Sequence, residues 1–182
     1  MLNIDQDMKI AGDKPSKDIK NRAGEKGEQR ELSKEQIKAA GEVGKTVARQ
    51  FLADAAKDLP PGENEDPAMT LQRRLLLSFA ATVGFEQYCG DDALAGIAQK
   101  SFLDTVKTED AQLYRSSADT GAFSFYYLAY RRGSEIDRRM GQTFAMLCSH
   151  DGDPVYQELG EALYCWFLSV VRKAAITGGL TK

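Results

Sequence analysis

Cys148, His150, Asp151 and Asp153 form the densest group of side chains able to bind a metal or move a proton, and His150 is the only histidine in the chain. A zinc ion would need thiolates or carboxylates converging on that imidazole. Side chains this close along a loop seldom converge, and no second ligand pair is spaced for metal. Asp151-Gly152-Asp153-Pro154 already reads as a turn running into a helix N-cap. A Cys148–His150 dyad fails on direction, because residues two apart on a helix point about 200° away from each other. The expectation is turn chemistry, with no metal site, no catalytic residue and no cofactor.

Glu158 and Glu161 lie three apart on one helix, but no matching pair appears on another helix. Metal-holding bundles draw inward carboxylates from several helices, so this pair reads as a solvated face. Neither GxxxxGK[ST] nor GxGxxG occurs in the chain, and Gly178-Gly179 reads as a helix stop, which leaves no phosphate cradle. The remaining distinctive feature is a set of arginine doublets: Arg73-Arg74, Arg131-Arg132 and Arg138-Arg139. Phe123, Phe125, Tyr126, Tyr127 and Tyr130 lie just ahead of the second doublet. Guanidinium beside tyrosine suits an anionic small molecule, stacked bases or an acidic protein partner. Tyr126, Tyr130, Arg131, Arg132, Arg138 and Arg139 are therefore the candidate ligand-binding residues. The competing explanation places the aromatics in the core and pairs the arginines with nearby acids on a wet helix face.

These side chains must be carried by helices. Ser33-Lys34-Glu35-Gln36 spells a capping box, predicting a helix to about Asp58 with Ile37, Ala40, Val43, Val47, Phe51 and Leu52 at helical spacing. Ala40, Gly44 and Ala48 put small residues four apart, where a neighbouring helix should cross. Leu59-Pro60-Pro61-Gly62 stops that helix, and Asp66-Pro67 starts a second, running to about Cys89. Leu75 to Phe85 is apolar nearly all round, so this helix should be central. Gly90 fits a C′ position, and Asp91 or Asp92 caps a third helix to about Val106, followed by a shorter one after Thr108-Glu109-Asp110. Residues 123–130 alternate in the manner of a strand, but nothing else in the chain offers a strand partner, so helix is expected. Ser134-Glu135-Ile136-Asp137 opens another helix, and Asp153-Pro154 opens the last, to about Ile176. Residues 73–103 can also be laid without gaps on 138–168, an echo that hints at duplication.

The fold class expected is all-α: a single bundle of six or seven helices over residues 33–182, its core built from the second, third, fifth, sixth and seventh, behind a polar N-terminal arm over 1–32. In that arm seven Lys/Arg face seven acids with scattered apolar residues, too little apolar area to offset ordering entropy, so it should be mobile or ordered by a partner. Across all 182 residues the composition is 42% hydrophobic and 28% charged, ordinary for a globular chain. Three cysteines without a CxxC read as reduced, buried thiols. Asp5 and Asp7 stand where a secretory signal needs a basic region, and the longest apolar run, Ala162 to Val171, is about half a membrane span. The expectation is a cytoplasmic protein with no membrane partner. The net charge of -3 gives no global attraction to phosphate, which disfavours nucleic acid. A non-enzymatic interaction or assembly module, with a protein partner or self-association as a homodimer, ranks first. A bundle binding an anionic small molecule through segment 123–139 ranks second, and nucleic-acid binding by the arginine doublets third.

Overall fold

Among the residues described by the computed structural model, 32–56, 67–117 and 120–181, there is no strand, and the fold is all-α. Seven helices follow one another: α1 Lys34–Ala55, α2 Pro67–Tyr88, α3 Asp92–Glu109, α4 Ala111–Ser116, α5 Thr120–Arg131, α6 Ile136–Leu147 and α7 Pro154–Thr177. The expected arm (except Leu32), the proline stop at 60–61 and the Asp66 cap lie outside the described residues.

The starts follow from side chains that satisfy first-turn amides. Ser33 Oγ accepts from the Gln36 amide at 3.1 Å while Gln36 Oε1 accepts from the Ser33 amide at 2.9 Å, closing the capping box. Asp91 accepts from Ala93, Asp110 from Gln112 and Leu113, and Asp153 from Val155. Helix α6 differs. Its N-cap is Glu135, left-handed at φ 48° with no side-chain cap bond. The expected opener, Ser134, instead receives Arg139, whose Nε donates to the Ser134 carbonyl at 2.7 Å.

Helix α2 touches every other helix, as an all-round apolar helix should. Phe85 sits edge-on to Phe102 of α3, which meets Phe51 of α1 at 5.6 Å, and Phe51 meets Phe167 of α7 at 6.2 Å. Burying each such ring contributes about 1.5–3 kcal/mol. Further along α2, Phe79 gathers Phe123, Tyr126 and Tyr130 of α5.

Helix α1 belongs to this core, contrary to the expectation that left it out: Ala40, Val43, Val47, Ala48 and Phe51 are buried. The small-residue stripe gives the reason. A Cβ on Gly44 would run into the Ala98 carbonyl oxygen and stand 2.9 Å from Ser101 Cβ, so α3 crosses α1 where the spacing predicted a neighbour. Ser101 Oγ then donates to the Gly41 carbonyl at 2.8 Å. Beyond the crossing, a largely buried ion pair at 3.4 Å joins Asp54 of α1 to Arg73 of α2.

Helices α6 and α7 fold back on each other with Gly141 against the Gln157 carbonyl and Gly160 against the Phe144 ring. Gly179, at φ 67°, ends α7. Its N–H donates to Ile176, and Leu180 donates to Ala175, the paired bonds of a Schellman motif. The Leu180 carbonyl accepts from Gly90 at 2.7 Å, tying the end of the chain to the α2–α3 turn. That bond, rather than a left-handed C′ conformation, is what Gly90 supplies, since its φ is not positive. The echo between 73–103 and 138–168 does not survive in three dimensions. Residues 83–88 are helix, while their counterparts 148–153 form the turn between α6 and α7.

Candidate functional site

Segment 123–139 is helix over Thr120–Arg131, and its alternation resolves into two faces. Ala122, Tyr126 and Ala129 recur at helical spacing and are buried. Tyr126 has 0% exposure, and Tyr130 is half-buried against Phe79. Burial, reinforced by the neighbouring Cys148 thiol, pushes the Tyr126 phenol far above its ordinary value. Its hydroxyl has no hydrogen-bond partner among the described residues.

The arginines of the segment point elsewhere. Arg131 lies 5.8 Å over the Tyr127 ring, and Arg132 is exposed at the helix end. Arg138 pairs with Glu135 at 3.5 Å, and Arg139 reaches both the Ser134 carbonyl and, at 3.2 Å, its hydroxyl. The last two therefore brace the α5–α6 turn, where Gly133 and Glu135 both take left-handed conformations. The tyrosines face the core while the arginines face water or the turn, so the structure does not bring these candidates together around one space.

What lies outward on α5 is Phe125, Tyr127 and Leu128, with exposures of 49%, 53% and 60%. Phe125 and Leu128 stand three apart, one turn along the same side. Exposed apolar side chains are ordinary one at a time. Large ones concentrated on one short helix and rimmed by guanidinium groups make a sticky face with a positive edge.

Around His150 the imidazole stacks on Tyr156, centroids 3.8 Å apart and planes within 10°. Its Nδ1 is 4.0 Å from Asp153, whose carboxylate caps α7, and Cys148 is buried. Among the described residues no group of three or more His, Cys, Asp or Glu could hold a metal. Glu158 and Glu161 are both exposed. Of the cysteines, Cys89 and Cys148 are buried, but Cys165 is exposed on α7. It corrects the expectation of buried thiols, since its outer position on α7 brings it beside Asp137 rather than apolar neighbours. Burial of what remains covered, then the Asp137 carboxylate, pushes its thiol up to about 11.

A recess of about 270 Å³ enters the bundle between α2, α3, α4 and α5. Ser78 and Thr82 project from α2, Gln99 and Leu103 from α3, Tyr114 from α4 and Ser117 from its C-cap, with Phe123 of α5 closing one side. Each pair stands three or four residues apart, so each helix presents one face to the space. Thr82 Oγ1 donates to the Ser78 carbonyl at 3.3 Å and accepts from Gln99 Nε2 at 3.4 Å. Ser117 Oγ donates to the Tyr114 carbonyl at 3.2 Å. Among the described residues no Lys, Arg, Asp or Glu lines the space. The sequence held a signal for it: Ser78 and Thr82 are the only hydroxyl residues on one side of the apolar stretch from Leu75 to Phe85. A second, wider and more open groove of about 920 Å³ runs along α1 and α3, with Lys45, Arg49 and Lys100 set against Asp104 and Glu109.

No family model matches the chain, and no curated protein or solved structure is significantly similar to it. Function is therefore argued from these surfaces. No helix among the described residues is long and apolar enough to cross a membrane.

Proposed function

We propose that this chain is a non-enzymatic helical interaction module that docks an acidic, amphipathic helix of a protein partner on the outward face of α5. The observation that carries the reading is the exposure of Phe125 and Leu128, one turn apart on the same side of a helix of 12 residues. Water-exposed apolar area of this kind is a cost to the isolated protein that a docking helix removes. Such a helix would offer apolar anchors at i, i+3 and i+4. The guanidinium groups of Arg131 and Arg132 at the end of α5 favour carboxylates on the flanks of the docking helix over ammonium groups.

The test uses a fluorescent helical peptide with leucines at i, i+3, i+4 and i+7 and glutamates on both flanks, titrated by anisotropy with the full chain. Expected is saturable binding that weakens at least tenfold when lysines replace the glutamates. Phe125→Asp and Leu128→Asp should abolish binding while leaving helical circular dichroism unchanged. Unchanged binding to both variants overturns the proposal. So does sedimentation of the native chain as a dimer that these variants dissociate, which assigns the face to a second copy.

A further inference from the structure

The recess between α2, α3, α4 and α5 carries an inference independent of the α5 face: we infer that it is a binding site for a small, uncharged aromatic molecule bearing one polar substituent. Its chemistry argues the class of ligand. Leu103, Phe123 and the Tyr114 ring give it an apolar wall, while Ser78, Thr82, Ser117 and Gln99 give it hydroxyls and a carboxamide. Ser78 and Ser117 are buried, at 4% and 6% exposure, which places polar groups well inside the surface. Apolar lining with a few convergent polar groups is the usual make-up of a small-molecule site.

Charge excludes most alternatives. With no ionised side chain among the described residues of the lining, a carboxylate or ammonium entering the recess would lose its hydration without gaining a counter-charge from them. A wholly apolar molecule would cover the Gln99 carboxamide, which makes a single bond to Thr82, without offering its remaining donor and acceptor a partner. Size sets the upper limit. An apolar cavity of about 150 Å³ accommodates benzene, so about 270 Å³ takes one ring and a substituent of a few atoms. The carboxamide of Gln99 uses one N–H on Thr82 and keeps its other N–H and its carbonyl oxygen for a ligand.

Benzamide, benzoate and toluene separate the classes, because they share a ring and differ in charge and polarity. The full chain, labelled with ¹⁵N, is titrated with each, and backbone amide shifts are followed. Expected is saturable movement of the Ser78, Thr82, Gln99 and Leu103 signals with benzamide, and at least tenfold weaker binding of benzoate and toluene. Gln99→Ala should weaken benzamide about fivefold, the value of one neutral hydrogen bond. Thr82→Met, which fills the space, should abolish the shifts. Should Thr82→Met fail to fold, Gln99→Ala and the three-ligand comparison still decide the matter. Absence of saturable shifts at these residues overturns the inference, as does benzoate binding as tightly as benzamide or benzamide binding Gln99→Ala undiminished. None of these outcomes depends on α5 docking, and Leu128→Asp should leave benzamide binding unchanged.

Discussion

Ser149 takes φ 63° at the end of α6, where its N–H donates to Met146 and the following His150 N–H donates to Ala145. This is the same pair of bonds that Gly179 makes at the end of α7, but with a side chain in the left-handed region. An L residue there costs about 1 kcal/mol. Ser149→Gly should therefore raise thermal stability by about 2–4 °C, measured by differential scanning calorimetry. Tyr126 stores a different cost. Its hydroxyl is buried without a partner, and a buried orphan polar group costs about 1–3 kcal/mol. Tyr126→Phe keeps the ring on Phe79 and removes the orphan, so the variant should match or exceed the native chain in urea midpoint. A loss of more than about 1 kcal/mol would show that the hydroxyl has a partner. The residue scale also explains why tyrosine and arginine suggested a ligand site in the sequence. Residue type speaks of what a side chain can bind, and only the helix phase decides where it points.

Helices α1 and α3 show how the same residue type acquires opposite roles in two packed elements. A Cβ at Gly44 meets the α3 backbone, whereas a Cβ at Gly96 meets nothing within 4 Å. Gly44→Val should cost about 3 kcal/mol by forcing α1 off α3. Gly96→Ala should instead stabilise by about 1 kcal/mol through helix propensity alone. Chemical denaturation of both variants checks the pair, and equal signs would refute the crossing. The small-residue stripe was legible as Ala40, Gly44 and Ala48 because close approach needs small side chains at one-turn spacing. The partner helix was not legible, since any apolar stripe of the right width could have answered it. Helix α5 reverses the situation. Its alternating aromatics left strand and helix both open locally, and packing of Tyr126 on Phe79 selects helix.

Burial favours the protonated forms of the Cys89 thiol and of the Tyr126 and Tyr164 phenols. Burial raises Tyr126, Tyr164 and Cys89, and burial followed by Asp137 places Cys165 at about 11. In the unfolded chain these groups titrate near their ordinary values, about 8.5 for cysteine and 10 for tyrosine. Below about pH 7.5 both states keep nearly every proton, and these groups leave stability unchanged. As pH climbs from there the unfolded chain releases protons that the folded one retains, so stability falls. Each buried tyrosine steepens the loss by up to about 1.4 kcal/mol per pH unit above pH 10. Melting temperatures should be flat from about pH 6.5 to 7.5 in this respect and drop progressively to about pH 11, less steeply in Tyr126→Phe. A curve in Tyr126→Phe parallel to the native one would place the alkaline loss elsewhere.

By itself the sequence determined where α1, α3 and α7 begin, because a cap is a bond between near neighbours: Ser33 with Gln36, Asp91 with Ala93, Asp153 with Val155. It also determined that α2 is central, since an apolar circumference has nowhere else to go. Only the tertiary structure decided which side of each helix is covered. It buried Tyr126, left Phe125 and Leu128 in water, sent Arg138 and Arg139 to the α5–α6 turn, and gathered Ser78, Thr82, Gln99 and Ser117 from three helices around one recess. Those placements depend on contacts between residues far apart in the chain, and local spacing carries no information about which distant surface will meet them.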